Sequence, residues 1–122
     1  MKSYSGERGK QPDFEIEYLW VSELKGPIQH MRSDFKYSEE FNDEGIWMIW
    51  PEFIDQNGNV IRNLNVLPKS GKATMWIISR EKEYLKIHRE RLKIGLIGEL
   101  VTGARTLATV KVTKILGLKN ET

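Results

Sequence analysis

Along this chain apolar residues recur mostly at every second position, and that alternation predicts strands. Phe14, Ile16, Tyr18 and Trp20 alternate with Glu15 and Glu17, as in a half-buried strand that begins at Phe14. Leu19 and Val21 lie on its second face, so the later part of the strand is expected to be covered on both sides until Gly26-Pro27 stops it. Between residues 28 and 45, Phe35, Tyr37 and Phe41 keep an extended spacing, while Glu39-Glu40 and Asn42-Asp43-Glu44-Gly45 point to a long acidic loop. Ile46-Trp47-Met48-Ile49-Trp50 is apolar throughout and reads as a central strand, with Pro51 limiting ladder pairing at its end.

Asn57-Gly58 inside Asp55–Asn59 predicts a hairpin turn, because both residues tolerate left-handed backbone. Val60 to Leu67 resumes an extended pattern, Lys69-Ser70-Gly71-Lys72 predicts another turn, and Thr74 to Ile78 another strand. Around Tyr84, Leu85 and Ile87 the stretch from Arg80 to Leu92 is heavily charged, which predicts a short helix near residues 80–91 or a charged excursion. Leu92, Ile94 and Leu96 then alternate with Lys93 and Gly95. After Gly103 a final strand is expected through Ala108, Val110 and Val112 to Leu116. Short strands, frequent turn signals and little helix predict an all-β antiparallel barrel or sandwich, and a βαβ architecture lacks its helices here.

With 122 residues the chain has material for one core. The expected organisation is a polar leader over 1–12, one β-barrel domain over 13–118 and a tail over 119–122. Cysteine is absent, which excludes disulfides, a thiol nucleophile and thiolate metal ligands and fits a reducing compartment. The first residues carry no apolar signal-like core and no run approaches membrane-spanning length, so a cytoplasmic location without membrane contact is expected.

Net charge is only +2, but residues 1–57 hold six basic against twelve acidic residues, a balance of −6, and residues 58–122 balance at +8. That asymmetry suits an anionic partner for the basic half. It equally suits an acidic half that folds against the basic half across antiparallel strands.

Motif chemistry is sparse. Asp55-x-Asn57-x-Asn59 begins like a calcium loop, but the required Gly and Glu positions are Val60 and Val66. Ser70-Gly71-Lys72 echoes a phosphate loop, yet Val66 and Ala73 replace the earlier Gly and the metal-binding hydroxyl, so no nucleotide is expected. His30 and His88 are far apart in sequence and no His-Glu-x-x-His spacing occurs, so neither a metal nor another cofactor is expected. Without a Gly-x-Ser-x-Gly elbow, and with Glu39-Glu40 and Asp43-Glu44 reading as a solvated loop, the expectation is a non-catalytic binding module. Lys82, Lys86, Arg89, Arg91, Lys93, Arg105, Lys111 and Lys114 could form a basic surface. Tyr84 is the lone aromatic after Trp76, so contact with the shape and phosphates of a structured RNA suits them better than base stacking. In the acidic segment 34–55, Trp47 and Trp50 are candidate anchors for a protein partner.

Arg91-Leu92-Lys93-Ile94-Gly95, Thr102-Gly103-Ala104-Arg105-Thr106 and Val110-Lys111-Val112-Thr113-Lys114-Ile115-Leu116 together resemble the end of the third domain of elongation factor Tu. In that family a strand, a Gly-Gly-Arg-Thr turn and a Val-rich last strand follow one another; Ala104 replaces the second Gly. Phe14-Glu15-Ile16-Glu17 resembles the domain's first strand, and Gly26 to Phe35, with His30, its following loop. The family's Arg-Pro segment and Pro-Gly-Asp turn are missing, residues 80–91 look inserted, and neither the GTPase domain nor the second barrel is present. The resemblance implies a small closed Greek-key barrel of about six antiparallel strands. It also implies that Gly103, Arg105 and Thr106, with Lys111 nearby, are the positions that would inherit contact with tRNA. The same Gly103 could simply supply positive φ, and Arg105 could pair with a carboxylate.

Overall fold

The alternating stretch from Phe14 forms β1 (Phe14–Trp20), with Phe14, Ile16, Tyr18 and Trp20 in the core. A computed structural model describes residues 11–23, 26–29, 33–38, 41, 45–62 and 67–120. Around β1 it places β2 (Asp34–Tyr37), β3 (Ile49–Ile54), β4 (Ser70–Ile77), β5 (Ile97–Thr102) and β6 (Arg105–Ile115). Among the described residues one α-helix, α1 (Lys82–Arg91), joins β4 to β5, and a short 3-10 turn (Gly117–Asn120) follows β6. Every strand pairing is antiparallel and the sheet order is β2-β5-β6-β1-β4-β3, which sets the first strand beside the last. The six-stranded sheet curls into a half-barrel, and Phe35 of the outer strand β2 exchanges N–H···O bonds of 2.8 Å with Trp47, two residues ahead of the other outer strand. The all-β class and the short helix expected from the pattern are present, and so are the six antiparallel strands that the resemblance implied.

Several boundaries differ from expectation, each for a physical reason. β2 lies within the segment read as an acidic loop, because Phe35 and Tyr37 alternate into the core while Asp34 and Lys36 stay partly exposed. The apolar run from Ile46 is not a continuous central strand: β3 begins only at Ile49, and Trp47 pairs with β2 instead. β3 continues through Pro51. Phe53, two residues on, aims its N–H and C=O away from β4 toward Gln29, so by the alternation of a strand the ring nitrogen of Pro51 also lies on the outer edge. Lys69–Lys72 is not a turn, since Ser70, Gly71 and Lys72 pair with Leu19, Tyr18 and Glu17. Gly71 lies there beside the Tyr18 ring, where even a Cβ would make only an ordinary contact, 3.4 Å from the hydroxyl.

The Leu92–Leu96 alternation is not a strand either. The Leu96 N–H donates to the Lys93 carbonyl, Gly95 turns at φ 93°, Ile94 is exposed, and β5 starts at Ile97. Leu19 and Val21 are exposed, so the second face of β1 is uncovered at its end. Of the extended segment 60–67, Val60 bridges Ile54; residues 63–66 lie outside the described residues, as do most of the leader, His30, Glu39, Glu40, residues 42–44 and the last two of the tail.

The core is heavily aromatic. Phe35 meets Phe14 edge-on at 6.0 Å and Tyr37 at 5.0 Å, and Tyr18 meets Phe53 at 5.0 Å. α1 lies at the end where β4 finishes and β5 starts, and its Leu85 and His88, with Leu92 after it, are buried there. The opposite end carries the β1–β2 and β3–β4 connections and the tip of the β5–β6 hairpin.

Asp13 locks the helix-bearing end. Its side chain is fully buried, accepts the Ile77 N–H at 2.8 Å and pairs with Arg80 at 2.8 Å. Its own N–H bonds Met75, and its carbonyl accepts from Leu116. Removing one member of such a pair leaves an uncompensated buried group. Asp13→Ala is expected to lower unfolding stability by about 3 kcal/mol in urea titrations, and Arg80→Met at least as much, because it leaves the fully buried carboxylate without this countercharge, whereas the Arg80 left behind by Asp13→Ala keeps some solvent contact.

Candidate functional site

Register sets the charge pattern on the outer face of the sheet. Glu17 of β1 stands directly between Lys72 of β4 and Lys111 of β6, and Glu15 between Thr74 and Lys114. Lys114 Nζ approaches Glu15 Oε2 at 3.7 Å. Farther round, Glu99 of β5 is paired with Lys36 of β2. Opposite charges thus alternate from strand to strand, and a cross-strand pair of this kind contributes roughly 0.2–1 kcal/mol. Part of the acidic half therefore does fold against the basic half.

This arrangement separates the residues expected to contact RNA. Gly103, with φ 59°, and Ala104 form the two-residue tip between β5 and β6, and Thr102 pairs with Arg105 across it. Arg105 is exposed, and among the described residues it has no ion pair. Thr106 donates its hydroxyl to Glu99 Oε1 at 2.9 Å, and Lys111 lies across from Glu17. Gly103 and Arg105 therefore share an exposed tip, while Thr106 is bonded to Glu99 and Lys111 stands on the sheet across from Glu17 without forming an ion pair among the described residues.

At the other end, Trp47 and Trp50 flank the start of β3. The Trp47 indole packs edge-on against His88 at 4.8 Å and Tyr84 at 5.6 Å, joining the strand region to α1. Trp50 lies opposite Trp76 on the neighbouring strand and is half-buried. On either side of Trp47, Ile46 and Met48 are 48% and 42% exposed, and Tyr84 of α1 is 37% exposed.

A polar–aromatic cluster lies behind them. Tyr37 Oη and His88 Nδ1 share a hydrogen bond, the two rings stack at 5.8 Å, and the Arg91 guanidinium lies 5.0 Å from the Tyr37 ring and 5.3 Å from that of Phe41. Sequence reasoning missed this cluster. Its signal was the spacing of Tyr84, Leu85, His88, Arg91 and Leu92, which places them along one side of a helix.

Away from the helix, an open cavity of about 790 Å³ lies between Tyr18, Ile54, Asp55, Ile61, Pro68 and Lys72. The Tyr18 hydroxyl donates to the Pro68 carbonyl at 2.8 Å, and burial pushes its pKa up to about 12. Among the described residues no group of three or more His, Asp or Glu gathers as metal ligands. No described helix is long and apolar enough to cross a membrane.

Fold and surface together define a small all-β half-barrel, capped by one helix, with aromatic side chains at the capped end and an exposed arginine hairpin at the other. No protein-family model, curated protein or solved structure matches the chain.

Two outcomes follow from this geometry. Lys111→Glu sets a like charge opposite Glu17 and is expected to lower stability by roughly 0.5–1 kcal/mol, whereas Arg105→Glu should leave it nearly unchanged; paired chemical denaturations check this. The neutral Tyr18 is favoured by folding, so its contribution is complete below pH 10 and is lost as pH rises toward about 12. The stability difference between wild type and Tyr18→Phe should therefore narrow over that window, as measured by urea unfolding at successive pH values.

Proposed function

We propose that this protein is a non-catalytic binding module whose partner is another protein, engaged at the helix-bearing end. The carrying observation is the exposure of Ile46, Met48 and Tyr84 around Trp47, which is itself held against Tyr84 and His88. Single exposed apolar residues are ordinary on protein surfaces. Here they come from two elements that the Trp47–Tyr84 contact ties together, and a positioned aromatic beside exposed aliphatic groups suits an interface hot spot. Trp50 is included because it follows on the same stretch, and the acidic segment 34–55 supplies charge around it. Absence of cysteine supports a cytoplasmic setting.

A second reading keeps the likeness to the third domain of elongation factor Tu and takes structured RNA, such as tRNA, as the ligand. The exposed, ion-pair-free Arg105 beside Gly103 favours it, because a free guanidinium at a hairpin tip can reach phosphate. The hydrogen bond of Thr106 to Glu99 and the position of Lys111 across from the Glu17 carboxylate weigh against a broad basic footprint.

A tagged pull-down from the host lysate, with and without nuclease, separates the two. The protein reading expects a defined protein that survives nuclease, is retained by Arg105→Ala, and is recovered about tenfold less with Ile46→Ser/Met48→Ser. Equal recovery with that double variant would overturn it. Enriched tRNA that disappears with Arg105→Ala and weakens steeply with salt would establish the RNA reading instead.

A further inference from the structure

We infer that Asn57 is a site of spontaneous covalent modification, the hydrolysis of its side-chain amide through a cyclic imide with Gly58, and that Asp55 sets the rate. Asn57 is the single asparagine of the chain that glycine follows; the others precede Asp43, Val60, Leu64, Val66 and Glu121. A glycine at that place puts no side chain between its own nitrogen and the asparagine carboxamide. Both residues are exposed, and nothing lies within 4 Å of where a Cβ on Gly58 would stand. Among the described residues the Asn57 carboxamide has no hydrogen-bond partner, so it is free to turn toward the Gly58 nitrogen.

The reaction needs only water. The Gly58 N–H gives its proton to solvent base, its nitrogen bonds to Asn57 Cγ, and the Cγ–Nδ2 bond breaks as ammonia leaves. Water then opens the five-membered imide at one of its two carbonyls. One opening leaves an aspartyl residue in the ordinary chain. The other leaves the chain running through the side chain, one backbone carbon longer. Either product adds a negative charge close to Asp55, and the longer one strains the turn that the Ile54–Val60 bridge closes.

The folded turn restrains the first step. The Gly58 N–H donates to the Asp55 carbonyl at 3.1 Å, which closes a β-turn over Gln56 and Asn57. Asp55 Oδ1 accepts the Asn57 N–H at 2.8 Å and the Asn59 N–H at 3.0 Å, the side-chain arrangement that stabilises such turns. Asp55 thus ties down the amides on both sides of Gly58 and that of Gly58 itself. The attacking nitrogen is held with its proton on a carbonyl, and attack waits for local opening of the turn.

The test incubates the folded protein at mildly alkaline pH and maps its peptides by mass, beside Asp55→Ala, Asn57→Gln and an isolated peptide of residues 53–61. In wild type the mass gain of an amide-to-acid exchange is expected in the segment holding Asn57, with both aspartyl and isoaspartyl products and a rate that rises with hydroxide. Asn57→Gln should lack that gain, and Asp55→Ala with a wild-type far-UV dichroism spectrum should show it several-fold faster, nearer the rate of the peptide. Retention of the amide in wild type over many half-lives of the peptide would overturn the site. Equal rates in wild type and folded Asp55→Ala would overturn the role of Asp55. If Asp55→Ala does not fold, Asp55→Asn decides: its side-chain oxygen still accepts both N–H groups, so a rate near that of wild type is expected, and the rate of the free peptide would overturn the restraint.

Discussion

The buried carboxylate of Asp13 sits where three chain segments must agree. It stands one residue ahead of β1, accepts the last backbone donor of β4 and pairs with Arg80 on the way into α1, while its own carbonyl receives the chain leaving β6. A charge this deep is tolerable only with full hydrogen bonding, so the geometry around it is narrowly specified. Because α1 begins just beyond Arg80, this site aims the helix at the end of the barrel. Leu85, His88 and Leu92 can then fill that end. The aromatic surface proposed for partner binding is therefore positioned by an ion pair that takes no part in it.

Charge balance follows from the same central strand. The chain is acidic in its first half and basic in its second, and the fold interleaves the halves by setting β1 between β4 and β6. Glu17 between Lys72 and Lys111 is the clearest instance. Two members of what a linear reading counts as a basic patch, Lys111 and Lys114, thus lie opposite carboxylates of β1. Arg105 escapes because it follows a tight two-residue tip, beyond the reach of β1, which is why it keeps the capacity to meet an external anion.

How much of this was legible depended on periodicity. β1 and β6 could be read directly, because their alternation survives with one face buried and one wet. The run from Ile46 could not be placed, since a stretch of unbroken apolar residues carries no register; only the bridge to Phe35 and the pairing with β4 fix which residues face inward. Ser70-Gly71-Lys72 looked like a turn because glycine is read as a breaker, whereas here Gly71 sits within β4, paired with Tyr18 across the strand pair. Of the proposed anchors, Trp47 was visible in sequence. Tyr84 and His88 beside it were not, because helix and strand fitted residues 80–91 equally well.

The two ends of the barrel have different physical characters, and this bears on how one small fold can hold a specific surface. At the helix-bearing end, hydrogen bonds, ring stacking and a cation over two aromatic faces hold Tyr37, His88 and Arg91, so Trp47 is presented from a backing with little freedom. At the opposite end the described hairpin tip, Gly103 and Ala104, is exposed to solvent with Arg105 beside it. A rigid, apolar surface gains affinity because little conformational entropy is lost when it is covered, whereas a charged tip gains mainly encounter rate and salt-sensitive attraction. That contrast is the physical ground for assigning the durable contact to the helix-bearing end and leaving Arg105 the lesser role.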